Sequence, residues 1–89
     1  MTHSEKKLVM APEHKHARHY AESMEWKRSE WEYLSRPEQL KGLYGIVLYD
    51  IRVPGLKRGI RFAASELRDA VIEAQGSGRI VRTNVVNLP

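Results

Sequence analysis

The chain contains no cysteine. That absence excludes disulfides, thiolate metal sites and a thiol nucleophile, and a domain this small that folds without disulfides is expected in the cytoplasm. Long apolar runs are also lacking. The N-terminus Met1-Thr2-His3-Ser4-Glu5-Lys6-Lys7 is polar and leads into the short apolar run Leu8-Val9-Met10-Ala11. A membrane span needs roughly 20 apolar residues, and a signal peptide needs a longer apolar core than this. A soluble protein with no membrane partner is therefore expected. Glycine is missing where an α/β nucleotide-binding protein most needs it. The junction after the first apolar run reads Pro12-Glu13-His14-Lys15-His16-Ala17-Arg18, with no Gly-rich loop to cradle a phosphate.

What is present describes an ordinary folded chain. Its 89 residues are 42% hydrophobic and 29% charged, which fits one globular domain with no room for a second core. Such a chain buries about 60–65% of its unfolded surface, so a partner or dimerisation would add to a modest stability. The oligomeric state is open at this level. Lysine and arginine number 15 against 11 acidic residues, a net charge of +4. The acidic residues are interspersed almost everywhere, so the excess only mildly favours nucleic acid as a partner.

Residues 1–6 read as a polar tail, and residues 7–89 as a single domain. A first strand over Lys7–Ala11 is ended by Pro12, which cannot donate to a ladder. A helix follows over Glu13–Trp26, with Ala17, Tyr20, Ala21 and Met24 spaced i, i+3, i+4, i+7 as one buried stripe. Glu30–Leu34 alternates charged and aromatic residues, as an edge strand does. Ser35, Pro37 and Glu38 read as a capping box opening a short helix over Pro37–Lys41, with Gly42 as its stop. Gly45–Tyr49 is a continuous β-prone run, expected as a central strand. Asp50 through Gly59, with Pro54-Gly55, reads as the longest internal loop. A last helix over Arg61–Ala74, closed by Gly76-Ser77-Gly78, precedes a strand over Arg79–Val86. The order β-α-β-α-β-α-β requires crossovers, and crossovers build parallel sheets. The expected fold is α/β: a small four-stranded, mostly parallel sheet with crossover helices, a Rossmann-like or flavodoxin-like miniature.

The segment Trp31-Glu32-Tyr33-Leu34-Ser35-Arg36-Pro37-Glu38-Gln39-Leu40-Lys41-Gly42 resembles a block found in short α/β proteins encoded by actinobacterial bacteriophages. Those proteins read Trp-x-Tyr-(Leu/Val)-Ser-x-Pro-x-x-Leu-(Arg/Lys)-Gly before an apolar strand. They look like pared-down P-loop or helicase-like domains without the phosphate loop, and the resemblance extends over residues 7–60. It implies a viral origin, a host-cytoplasm setting and a non-catalytic accessory role directed at a host protein. It carries over no catalytic residue.

Several constellations compete for function. His16 and His19 share a helix face at i, i+3, with His14 a turn earlier, but no cysteine or nearby carboxylate completes a tetrahedral site. Exposed histidines are the simpler reading, and no metal or cofactor is expected. Lys15 and Arg18 beside the first helix N-terminus offer an anion site, although side chains there obstruct the close approach that tight nucleotide binding needs. Trp26, Trp31 and Tyr33 read first as core-capping aromatics, and only secondarily as stacking or hot-spot residues. Ser35, His19 and Asp50 name a nominal triad that any chain of this length yields, so no enzyme is expected. The basic, apolar-interleaved stretch after the central strand is the leading surface: Arg52, Val53, Leu56, Lys57, Arg58, Ile60 and Arg61. It lies where ligands bind in open α/β sheets. A host protein is the expected partner. The alternatives are nucleic acid on Arg52, Lys57, Arg58 and Arg61, or a degenerate nucleotide-binding domain.

Overall fold

A computed structural model of the chain describes residues 6–55 and 65–88. β1 (Lys6–Met10) leads into α1 (His14–Ser23). A 3-10 turn at Arg28–Glu30 precedes β2 (Trp31–Tyr33), and a second one at Pro37–Leu40 precedes β3 (Ile46–Arg52). α2 (Ser65–Gly76) and β4 (Ile80–Asn87) complete the described elements. The four strands form one sheet in the order β2-β1-β3-β4, and every pairing is parallel. The expected α/β class, with its central apolar strand, is what the chain adopts.

The order dictates the layers. The step from β1 to β2 moves one way across the sheet, and the step from β2 to β3 returns past β1 to the other side. Right-handed connections then place α1 on one face, and the Pro37–Leu40 turn with α2 on the other. Strand alternation sorts the apolar residues accordingly. Val9, Trp31 and Ile51 pack with Ala17 and Ala21 of α1, whereas Leu8, Met10, Ile46 and Leu48 pack with Leu40, Leu67, Val71 and Ala74.

Several element boundaries differ from the sequence expectation, each for a local reason. β1 already includes Lys6, which was assigned to the tail, because its N–H donates to the Gly45 carbonyl. α1 stops at Ser23 rather than Trp26. Glu25 adopts a left-handed φ of 60°, while Glu25 and Trp26 N–H groups donate to the carbonyls of Glu22 and Ala21. That is a Schellman closure with glutamate where glycine usually sits. Met24, expected in the buried stripe, is consequently 47% exposed.

The middle crossover is one 3-10 turn, not an α-helix, and Gln39 caps it instead of Ser35 and Glu38. The Gln39 side-chain carbonyl accepts from the Ser35 and Arg36 N–H groups at 2.8 and 2.9 Å. β3 runs on through Asp50, Ile51 and Arg52, which were expected to open the long loop. Their pairing with Val85, Val86 and Asn87 of β4 extends the ladder that far. α2 continues to Gly76, and residues 61–64 of the expected last helix lie outside the described residues.

Candidate functional site at the carboxyl edge of the sheet

The strand order reverses between β1 and β3, so the crevice beyond their carboxyl ends is where an open parallel sheet offers a ligand site. Met10 and Asp50 are register partners there. Asp50 alternates with Ile51, whose side chain packs with the α1 layer, so the carboxylate points to the α2 face. It is only 1% exposed, the one buried charged residue among those described.

A carboxylate leaves water only at considerable cost unless it is paired. The pairing comes from Arg52, two residues along the strand and on the same face. Its Nε and Nη2 donate to Asp50 Oδ2 at 3.3 and 3.2 Å, while half of the Arg52 side chain remains exposed. Asp50 Oδ1 is buried and has no hydrogen-bond partner. The arrangement fixes one half-exposed guanidinium at the carboxyl edge of the sheet. The sequence expectation opens the long loop at Asp50, so the carboxylate does not stand on a strand there. The signal that would have found the pair is the i, i+2 spacing of opposite charges, which becomes meaningful once both residues belong to a strand.

Val53 follows Arg52 as a half-buried residue, and Pro54-Gly55 turns the chain with Gly55 at a φ of 81°. Arg52 and Val53 are therefore brought together at the carboxyl edge. Leu56, Lys57, Arg58, Ile60 and Arg61 of the expected binding surface lie outside the described residues.

The other sequence candidates separate into distinct environments. His14 turns away from its neighbours and stacks on Trp31 at 6.1 Å, edge-on to Tyr33 at 5.1 Å. The Arg28 guanidinium covers Trp31 at 4.6 Å, and Lys7 covers Trp26 at 5.6 Å. Trp31 is buried, while Trp26 and Tyr33 are half-buried, so these aromatics pack in the α1 layer. His16 and His19 share an open depression of about 320 Å³ along α1 with Lys15, Arg18 and Glu22. His16 Nδ1 is buried there without a hydrogen bond. No three potential metal ligands converge among the described residues. His19 belongs to α1 and Asp50 faces α2, so the nominal triad is split across the sheet. No helix among the described residues is long and apolar enough to cross a membrane.

Comparison of the chain with protein-family models, with curated proteins and with solved structures found no match. The class that the fold defines is a minimal all-parallel α/β domain with a salt-bridged arginine at the carboxyl end of its central strand.

Proposed function

We propose that this chain is a non-enzymatic binding protein, encoded by a bacteriophage and acting on a host protein in the cytoplasm. It engages that partner through the carboxyl edge of its sheet. The observation that carries the reading is the Asp50–Arg52 pair. A buried carboxylate holds an exposed guanidinium beside the strand-order reversal, so little side-chain freedom is lost when Arg52 meets an acidic or carbonyl-rich surface. Val53 adds an apolar contact, and the basic segment that follows in sequence supplies Lys57, Arg58 and Arg61. Arginine beside apolar residues is the composition of a protein-binding hot spot.

Nucleic acid is the second reading, favoured by Lys15 and Arg18 in the depression on α1 together with the net charge of +4. Salt separates the two: phosphate binding weakens steeply with ionic strength, whereas a contact dominated by Val53, Leu56 and Ile60 does not. The test is affinity capture from host lysate with wild-type protein and with the double variant Asp50→Asn/Arg52→Gln. That variant removes both charges together, so no buried carboxylate is stranded, and circular dichroism checks its fold. A host protein retained by wild type and lost at least tenfold by the folded variant supports the reading. Equal retention by both proteins overturns the carboxyl edge as the site, and salt-steep DNA retention overturns the partner class.

A further inference from the structure

The two edges of the sheet are treated differently. At the β2 edge the Leu34 N–H donates to the Val9 carbonyl, so Leu34 and Glu32 face β1, and Trp31 and Tyr33 turn their backbone outward. Both outward carbonyls are taken. Arg28 Nη1 donates to the Trp31 carbonyl and Gln39 Nε2 to the Tyr33 carbonyl, each at 2.8 Å. Side chains thus close this edge, which is only three residues long, against further strand pairing.

Among the described residues, nothing closes the β4 edge in this way. It is eight residues long, Ile80-Val81-Arg82-Thr83-Asn84-Val85-Val86-Asn87, without proline or lysine. The Leu88 N–H donates to the Arg52 carbonyl, so Leu88 and Val86 face β3, and Asn87, Val85 and Thr83 present their backbone groups outward. Among the described residues, no strand pairs with that side. Apolar exposure gathers here too. Among the described residues, three of the five exposed large apolar side chains, Ile72, Val81 and Val85, belong to β4 or to the flank of α2 above it. Gln75 marks that flank, since its amide donates to the Thr83 hydroxyl at 3.0 Å, and Ile72 lies one turn earlier on the same side.

We infer that the β4 edge joins a second copy of this chain, pairing antiparallel about a two-fold axis through Val85 to give a continuous eight-stranded sheet. The occupant is argued from self-complementarity. With Val85 opposite Val85 of the second copy, Thr83 meets Asn87 and each pair exchanges both backbone hydrogen bonds. Asn84 meets Val86, and Arg82 meets Leu88, so no like charges face each other. The register lies wholly beyond the ladder irregularity near Ile80, leaving a regular strand to pair. The axis brings the exposed Val85 side chains together on the α2 face, flanked by Ile72 of each copy.

The experiment is sedimentation equilibrium over a concentration series up to about 1 mM, the range of weak specific association. Wild type is expected to dimerise reversibly. Val85→Lys, at an exposed position, should keep the circular dichroism of wild type and raise the dimer dissociation constant at least tenfold, because two lysines then meet at the axis. Val85→Cys introduces the only thiol. Residues at such a paired position lie about 5.5 Å apart between Cα atoms, within disulfide reach, so mild oxidation should link two copies. Met24→Cys, at the far end of α1, should not link. A wild-type monomer throughout the series, a dimer unaffected by Val85→Lys, or equal linking by both cysteine variants overturns the inference. So does a monomer whose β4 edge pairs instead with a strand of another protein.

Discussion

Three polar side chains organise more of this molecule than their number implies. Asp50 and Arg52 form a half-solvated ion pair whose value is positional: the aspartate is held because the arginine covers one oxygen, and the arginine is held because the aspartate cannot move. Gln39 exhausts its amide. Its carbonyl caps two backbone N–H groups, and its Nε2 donates to the Glu32 carboxylate and the Tyr33 carbonyl, each at 2.8 Å. Glu32 is held below the ordinary glutamate value of 4.5, first by that Gln39 hydrogen bond and then by Lys6 and Arg28, while partial burial opposes them. Because the folded-state pKa lies below the unfolded one, this stabilisation is present above pH 4.5 and fades as pH falls through the lowered value. With the Glu32 side chain 42% exposed, solvent screening keeps the effect on stability small. Gln39→Ala should raise the Glu32 pKa in a carbon-detected NMR titration and destabilise the domain by about 1–3 kcal/mol, since it strands several partners. Ser35→Ala, by contrast, should stay within about 0.5 kcal/mol, because the turn is capped one residue on, at Arg36 with Gln39, and not by the Ser35 hydroxyl. Equal losses in urea denaturation would return the capping role to Ser35.

Among the elements, α1 shows how a helix end is decided. Its apolar spacing continues to Met24, yet the chain turns at Glu25 because Trp26 is drawn back into the α1 layer. There its ring lies 4.8 Å from Tyr49 and 5.5 Å from Tyr20. Those contacts repay a left-handed residue that costs an L-amino acid roughly 1–2 kcal/mol. Glycine carries no such penalty there but loses more entropy on folding. Glu25→Gly should therefore stabilise the domain by about 0.5–1 kcal/mol, visible as a higher melting temperature. A lower melting temperature would show that the glutamate side chain itself contributes. The middle crossover makes the complementary point. Four residues at Pro37–Leu40 suffice because β2 is short, and Leu40, 1% exposed, is the turn's buried contribution to the α2 layer.

At the scale of the whole molecule, β3 is the strand on which everything depends. It pairs with β1 on one side and β4 on the other, and Ile46, Val47, Leu48 and Ile51 are fully buried. A domain of this size has only a few kcal/mol of net stability. Val47→Asp puts a carboxylate at a fully buried position of the central strand, and its desolvation should severely weaken cooperative folding even with Lys7 and Arg82 as register neighbours. A Val47→Asp variant with an intact, cooperative thermal melt would contradict the two-layer core.

The sequence alone determined what repeats locally. Apolar spacing marked the first helix, charged–aromatic alternation marked β2, the uninterrupted Ile46-Val47-Leu48 run identified the central strand, and the alternation of elements called for a mostly parallel sheet. These follow from backbone geometry, which each segment carries in its own residues. Only the tertiary structure decided what depends on neighbours distant in sequence. It set the order β2-β1-β3-β4, the extension of β3 through Arg52 along β4, and the burial of Asp50. It also moved the cap of the middle turn one residue on, to Arg36 and Gln39, and closed the β2 edge with side chains while no described residue closes the β4 edge. The reason is that strand order and edge exposure are properties of pairings, and a pairing is specified by two segments at once.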